Sequence, residues 1–257
     1  MLHYRTITNE QYDRWIVMIH GAGGSIEVWY RQVADFARHF NILLVDLVGH
    51  GGSAKESVGK GFSISKAAEQ VIEVVNHLKI DKCHFMGLSL GSIVVRMIAK
   101  LHPRKVKSMI LAGAVTHLSA KTRLLFRFVR RFKAFIPYRL LRYVIAKNII
   151  PKAQYGESNR LFLRNAKNVS FGNFLSWIKV VEELNVHIKS LFDEKTSIPT
   201  LFLTGEDDKF FIDEVQQAAH NGGGNVSLVI VPEAGHVCNV DNKSFFNRQS
   251  LDFLCSL

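Results

Sequence analysis

The sequence predicts an α/β protein with a mostly parallel, twisted sheet, helices on both faces of that sheet and an inserted helical segment. Short apolar runs rich in β-branched residues alternate with amphipathic helical patterns, which is typical of parallel strands joined by crossover helices. The interval from Ala112 to Thr200 is too long for a loop in a compact domain. We therefore expect this interval to carry structure of its own.

Seven strands and five helices are predicted outside the long interval. Each strand is a short apolar run bounded by polar or turn-forming residues, and the strands are expected at about His3–Ile7, Trp15–Ile19, Ile42–Asp46, Cys83–Leu88, Lys107–Ala112, Thr200–Thr204 and Ser227–Val231. Each helix is predicted where apolar residues recur at helical spacing, namely at Val28–Arg38, Ser65–Lys79, Leu90–Leu101, Phe211–His220 and Ser244–Leu254.

Three more helices are predicted inside the interval. Apolar residues keep i, i+3, i+4 spacing over Leu124–Ile136 up to Pro137, and again over Leu140–Ile149 up to Pro151. A third helical pattern, roughly Phe171–Leu184, leads the chain back to the sheet. The predicted division is residues 1–115 and 195–257 for the core and residues 116–194 for the inserted segment.

The positive charge of the chain is concentrated in this segment. The chain has a formal net charge of +11 at pH 7. Thirteen of its 33 lysines and arginines, but only Glu157 of its 22 acids, lie between His117 and Lys167, which leaves 20 basic and 21 acidic residues elsewhere. Such a run is either a solvated face or a surface for an anionic membrane or an acidic acyl carrier protein. Nucleic acid is not expected, since no binding motif accompanies the charge.

The composition indicates one globular unit. Of the 257 residues, 47% are hydrophobic and 21% charged, and the longest apolar runs fall short of the ~18 residues that cross a bilayer. Residues Met1 to Glu10 lack the apolar stretch of a secretory signal, so a cytoplasmic location is expected. Cys83, Cys238 and Cys255 are too few and too scattered for a disulfide framework or a zinc site.

The segment Gly87–Gly91, with the sequence Gly-Leu-Ser-Leu-Gly, indicates a catalytic serine. It lies directly after a predicted strand and directly before a predicted helix, which is the arrangement of the G-x-S-x-G nucleophile elbow. The turn is so tight that only glycine avoids side-chain clashes two positions on either side of Ser89. The hydroxyl is then held above the sheet, where the positive end of the following helix favours an oxyanion.

A glycine-rich segment, His20–Gly24, follows the strand that ends at Ile19. Its glycines allow a backbone to approach a substrate closely, and a second oxyanion donor is expected there. The alternatives are a structural glycine-rich turn and a phosphate loop. The phosphate loop is disfavoured because neither Gly-Lys-Ser/Thr nor the G-x-G-x-x-G spacing is present. His20, Gly21 and Gly23 are accordingly predicted to bind substrate.

A serine nucleophile needs a base, and the base needs an acid that orients it. The segment Gly205–Asp208 follows one predicted strand, and the segment Ala234–His236 follows another. Both lie just past the C-terminal ends of strands, where open α/β sheets build their sites. His236 is therefore the candidate base, and Asp207 or Asp208 is the candidate acid.

Taken together, these motifs resemble the α/β-hydrolase superfamily of esterases, lipases and thioesterases over essentially the whole chain. The matching segments are His20–Gly24, Asp46–Ser53, Gly87–Gly91, Gly205–Asp208 and Ala234–His236. The resemblance implies Asp208 as the acid in preference to Asp207, and the amides of Ala22 and Leu90 as the oxyanion hole. It also implies that the inserted segment forms a cap over the site. Ser92 departs from the second glycine of many relatives, but a small residue still allows close helix packing.

The expected activity is that of a serine carboxylesterase, which uses Ser89, His236 and Asp208 and forms an acyl-enzyme. No metal or organic cofactor is expected, because side chains alone complete this chemistry. The alternatives are a thioesterase or methyl esterase acting on an acyl carrier protein, a lipase or lysophospholipase at a membrane surface, and a non-enzymatic ligand receptor with the same fold.

The apolar, basic cap indicates a medium or long acyl group as substrate. Phe128, Phe132 and Trp177 are the residues predicted to bind it. His50 is expected to serve a structural turn within the segment Gly49–Ser53, not catalysis.

Overall fold

A seven-stranded sheet forms the centre of the protein. The computed structural model describes residues 1–59, 61–132, 135, 137–149 and 155–257. The strands are β1 (Tyr4–Ile7), β2 (Trp15–Ile19), β3 (Asn41–Val45), β4 (Cys83–Leu88), β5 (Val106–Ala112), β6 (Thr200–Gly205) and β7 (Val226–Val231). Their order is β1-β3-β2-β4-β5-β6-β7, with β1 antiparallel to β3 and the other neighbours parallel. The predicted mostly parallel sheet is confirmed, and every strand lies within one residue of its predicted bounds.

Helices cover both faces of this sheet. They are α1 (Val33–Phe36), α2 (Ile64–His77), α3 (Leu90–Leu101), α4 (Ala120–Arg131), α5 (Tyr138–Ile149), α6 (Gly156–Asn165), α7 (Phe171–Asp193), α8 (Ile212–Asn221), α9 (Cys238–Asp241) and α10 (Lys243–Cys255). The bounds of α3 are those predicted, and α2, α8 and α10 lie within two residues of theirs. None of the helices in the described part of the chain is long and apolar enough to cross a membrane.

The strands contribute side chains to two apolar clusters, one on each face of the sheet, because successive side chains of a strand point to opposite sides. In β2, Val17 and Ile19 belong to the cluster that includes α2, α3 and α8. Ile16 and Met18 belong to the other cluster, which α9 and α10 cover. Burial on both faces explains why the strands are continuous apolar runs.

The predicted helix Val28–Arg38 is instead a 3-10 turn at Ile26–Trp29 followed by the short helix α1. Between them, the buried side chain of Gln32 donates hydrogen bonds to the carbonyl of Asn239 and to Oδ1 of Asn247, each at 2.8 Å. These tertiary bonds hold the backbone in a broken conformation that helical periodicity does not indicate.

Helices α4 to α7 lie between β5 and β6, in the interval where an inserted helical segment was predicted. The predicted helices that begin at Leu124 and Leu140 correspond to α4 and α5. Ile136 and Pro151 of those predictions, together with Lys133 and Lys152 of the basic run, lie outside the described residues. Residues from α4, α5, α7 and the turn before α7 share a small apolar cluster of their own, consisting of Val129, Leu141, Val169, Phe174 and Ile178.

Candidate active site

Ser89 lies in the sharp turn between β4 and α3. Its backbone has φ +53° and ψ −116°, a conformation that residues with a Cβ rarely adopt and that marks stored strain. A Cβ on Gly87 would lie 2.4 Å from the carbonyl oxygen of Gly91, and a Cβ on Gly91 would lie 2.2 Å from the carbonyl oxygen of Ile19. Glycine is therefore required at both positions, as the nucleophile elbow predicts.

Ser89, His236 and Asp208 form a continuous hydrogen-bonded chain. Oγ of Ser89 lies 2.9 Å from Nε2 of His236, and Nδ1 of His236 lies 2.8 Å from Oδ2 of Asp208. Asp208 is 2% exposed and His236 is 5% exposed. An ionised carboxylate accepts only, so Nδ1 of the imidazole carries the proton and Nε2 is left to accept from the serine hydroxyl. This arrangement can deprotonate a serine nucleophile.

The neighbouring carboxylate, Asp207, points elsewhere. Its Oδ2 accepts a hydrogen bond from the hydroxyl of Tyr155, just before α6, and its amide donates to the carbonyl of Ala234 at 2.9 Å. Of the two acids left open by the sequence, Asp208 is the one whose side chain meets the imidazole.

The backbone beside Ser89 offers two amides for an oxyanion. Leu90 is the first residue of α3, so its amide has no partner within the helix. The loop that carries Ala22 passes close to the serine, since a Cβ on Gly21 would lie 3.0 Å from Cβ of Ser89. Gly21, Ala22, Ser89 and Leu90 all line the same cavity. Within the part of the chain that the structure describes, neither the Ala22 amide nor the Leu90 amide donates to the protein.

Two buried histidines, His20 and His50, form hydrogen bonds that support the loop carrying Ala22. Nε2 of His20 accepts from the amide of Leu47 at 3.0 Å, and its Nδ1 lies 2.8 Å from the carbonyl of Gly21. Nε2 of His50 accepts from the amide of Gly23 at 3.0 Å, and its Nδ1 lies 3.1 Å from the carbonyl of Val48. Burial lowers the pKa of His50 to about 3 and also lowers the pKa of His20. Both rings are therefore neutral.

This geometry corrects two predicted substrate contacts. His20 is fully buried and lies outside the cavity lining, and the amide of Gly23 is already engaged by His50. Both residues support the loop, whereas Gly21 does line the cavity. His50 lines it as well, a position that its interpretation as a turn residue did not indicate.

A cavity of about 420 Å³ opens beside Ser89, with walls from the core and from α4 to α7. This size is within the roughly 300–1,000 Å³ of small-molecule sites. Its lining is predominantly apolar and includes Trp177, one of the residues expected to bind the acyl group. Nε1 of Trp177 donates to the carbonyl of Val48 at 3.0 Å, so the indole is fixed against the segment that carries His50.

Two residues predicted to bind the acyl group, Phe128 in α4 and Phe132 just after it, do not line this cavity. Phe128 and Phe132 are 53% and 41% exposed, and their rings contact each other at 4.7 Å between centroids. From α4 it is Phe126 and Val129 that line the cavity. Phe126 and Val129 therefore lie beside the candidate acyl site, in place of the predicted Phe128 and Phe132.

Helix α6 ties the inserted helices to the core near the triad. The hydroxyl of Ser158 donates to Oδ1 of Asp241, and Oδ2 of Asp241 accepts from the amide of Gly235 at 3.0 Å. Burial raises the pKa of Asp241 to about 6. Gly235 precedes His236 in the chain, so this contact links the position of α6 to the loop of the candidate base.

Among the described residues there is no group of three or more His, Cys, Asp or Glu side chains that could hold a metal ion. Cys83 and Cys238 are buried free thiols, and burial raises the pKa of each.

Known proteins share this fold and sequence pattern. A protein of Pseudomonas savastanoi pv. phaseolicola, provisionally named carbamate hydrolase RutD, is 27% identical over 245 residues, which cover 93% of each chain. The enol-lactonase of Burkholderia xenovorans superimposes with a TM-score of 0.79 at 21% identity, over 99% of this chain and 96% of that one. A thermophilic esterase of Thermogutta terrifontis has a TM-score of 0.79 at 19% identity, over 99% and 93% of the two chains.

The two structural likenesses, at this level of identity, establish the fold. The family described as alpha/beta hydrolase fold matches residues 14–243, which is most of the chain and includes every segment of the candidate site. The chain therefore belongs to the α/β-hydrolase family.

Proposed function

We propose that this protein is a serine carboxylesterase that hydrolyses esters of medium or long apolar acyl groups. The observation that carries the proposal is the hydrogen-bonded chain from Asp208 through His236 to Ser89, which ends at an apolar cavity. A hydrolase with these groups needs no cofactor, because nucleophile, base and oxyanion donors are all supplied by the protein. The free, buried thiols fit a cytoplasmic location, which is part of the proposal.

In the proposed reaction, Oγ of Ser89 attacks the ester carbonyl carbon while Nε2 of His236 takes the hydroxyl proton. The carbonyl oxygen becomes an oxyanion that accepts from the amides of Ala22 and Leu90. The bond between the carbonyl carbon and the alcohol oxygen then breaks, and the imidazolium returns its proton to the leaving alcohol. Water repeats the sequence on the acyl-enzyme and releases the carboxylic acid.

A small polar substrate is the second candidate, because the relative named carbamate hydrolase matches 93% of the chain. The cavity favours the ester. Its lining has few polar groups, and a compact polar substrate would lose hydration there without gaining hydrogen bonds. A thioester of the same acyl group would react by the same steps. The assay below therefore compares an alcohol with a thiol as the leaving group.

Initial rates on p-nitrophenyl esters from acetyl to palmitoyl, on the matching acyl thioesters and on carbamate test the proposal. The expected optimum is a medium or long acyl chain, with activity lost by about four or more decades in Ser89→Ala. Ser256→Ala, at the exposed C-terminus, is the matched control and keeps the native rate. Inactivity on every ester and thioester would overturn the proposal and favour the receptor alternative. A Ser89→Ala variant as active as the control would overturn it by showing that another group is the nucleophile.

A further inference from the structure

The outer side of α4 and α5 carries an unusual concentration of exposed apolar side chains. Among the described residues, seven of the twelve large hydrophobic side chains that are exposed lie between positions 124 and 144. We use the name cap face for the exposed side chains of Leu124, Phe128, Phe132, Phe135, Leu140 and Tyr143. Leu124 is 69% exposed and Phe135 is 83% exposed. Such a concentration of exposed apolar side chains in one short segment points to an interaction surface.

Basic residues are interleaved with the cap face. Arg127, Arg131, Arg139 and Lys147 are all exposed, and the sequence holds no Asp or Glu from position 118 to position 156. Arg131 also lies over the ring of Phe132, with its Cζ 5.8 Å from the ring centroid. The excess positive charge of the protein therefore lies in the same segment as these exposed apolar side chains.

We propose that the cap face binds the surface of an anionic phospholipid bilayer, with its apolar side chains inserted at the interface and its arginines at the lipid phosphates. A bilayer surface satisfies both halves of the face, since apolar groups enter the acyl boundary while cations meet anionic headgroups. A purely acidic protein surface would pair with the arginines but would leave Leu124 and Phe135 without an apolar environment.

A second copy of the chain fits the cap face less well. A symmetric dimer would bring the same arginines of two copies against each other, and like charges oppose such an interface. The bilayer is also the occupant that relates to the cavity, because the same two helices, α4 and α5, line that cavity through Phe126, Val129 and Leu141.

Vesicle co-sedimentation tests this proposal without relying on turnover. The full chain with Ser89→Ala is mixed with phosphatidylcholine vesicles that contain or lack phosphatidylglycerol, so lipid binding is measured whether or not the proposed esterase activity is correct. Binding is expected only with phosphatidylglycerol. The double variant Leu124→Ser/Phe135→Ser and the double variant Arg127→Glu/Arg131→Glu should each weaken binding at least tenfold.

Matched controls lie on exposed positions away from the cap face. Leu101→Ser and Arg104→Glu change the same residue types and should bind anionic vesicles as the parent does; thermal midpoints confirm that every variant is folded. Failure to bind anionic vesicles overturns the proposal, as does equal weakening by the controls. Binding that depends on the arginines but not on Leu124 and Phe135 also overturns it and points to an acidic protein partner. A dimer in sedimentation velocity that Phe135→Ser abolishes, without vesicle binding, assigns the face to a second copy.

Discussion

The amide of Gly23 donates to Nε2 of His50 across 3.0 Å, so a residue outside the triad fixes the loop that carries the Ala22 amide. His50 can accept this bond only as a neutral ring, and its burial keeps it neutral. It is therefore a positioning residue for the proposed oxyanion hole. His50, which the sequence assigns to a structural turn, thus acts on the proposed oxyanion hole through its hydrogen bond with the amide of Gly23.

Removal of this support should slow the chemical step. We expect His50→Ala to lower kcat by roughly 10- to 100-fold, less than the approximately 100- to 1,000-fold that loss of an oxyanion donor costs, because the Ala22 amide is displaced and not deleted. His50→Gln should recover most of the rate, since its amide oxygen can accept from Gly23. Steady-state kcat and KM on the best p-nitrophenyl ester provide the measurement.

His220→Ala, on the exposed end of α8, serves as the control and should behave as native. A merely structural role for His50 would lower the thermal midpoint of both variants without separating Gln from Ala in kcat. That result would contradict the positioning role.

The two neighbouring carboxylates should differ sharply in their effect on catalysis. Asp208→Asn is expected to lower kcat by about 10⁴-fold, because the amide favours the wrong imidazole tautomer. Asp207→Asn alters the contact with Tyr155 but leaves the bond between Asp208 and His236 in place, so its kcat should stay within roughly tenfold of native. Comparable losses in the two variants, measured with the same ester, would show that the acid has been assigned to the wrong residue.

Neutral buried histidines should make the fold sensitive to acid. Burial lowers the pKa of His50 to about 3 and that of His84 to about 4, with Lys107 and Arg14 also lowering the latter, from 6.5. Between pH 6.5 and 4 the unfolded chain binds protons that the folded protein does not. The free energy of unfolding therefore falls as the pH is lowered through this window.

Asp241 acts in the opposite direction, because its pKa is raised from 3.8 to about 6. Between these values the folded protein holds a proton that the unfolded chain has lost, so this group adds stability as the pH falls. On acidification, the stability gained through Asp241 offsets the stability lost through one of the two histidines, His50 or His84. The stability lost through the other histidine and through His20 is not offset.

The variant His84→Asn isolates one of these protons. Its amide oxygen can replace Nδ1 of His84, which lies 2.7 Å from Oγ of Ser108. Urea unfolding from pH 7 to pH 4.5 should show a slope of stability against pH that is smaller by about 1.4 kcal/mol per pH unit near pH 5. The exposed control His220→Asn should leave the slope as in the native protein. An unchanged slope in His84→Asn would mean that the imidazole is not held neutral.

Much of this site is predictable from sequence because short motifs mark its parts. Gly87 is required by a contact within one turn, and Gly91 is required by the carbonyl of Ile19 at the end of the neighbouring strand β2. The segments that carry Asp208 and His236 follow strands that parallel topology brings to one edge. The choice between Asp207 and Asp208 depends on a tertiary contact, the hydrogen bond from Tyr155, and only the family resemblance favours one of them in advance.

The inserted helices are harder to predict for two physical reasons. In α4, apolar residues occupy more than one face, so periodicity does not decide between Phe126 and Phe128 as the side chain at the cavity. Helix α6 was not predicted at all, because its buried residues are Ser158, Leu161 and Asn165. Two of the three are polar, and such a helix has no apolar stripe to detect.

The proposed reaction depends on Ser89 as the nucleophile and on His236 as the base that activates it. The most direct measurement is to treat the protein with a fluorophosphonate ester and locate the covalent adduct by mass spectrometry of its peptides. We expect one adduct per chain, on the peptide that contains Ser89, formed much more slowly in His236→Ala and absent in Ser89→Ala. An adduct on another residue, or none in the native protein, would contradict the account.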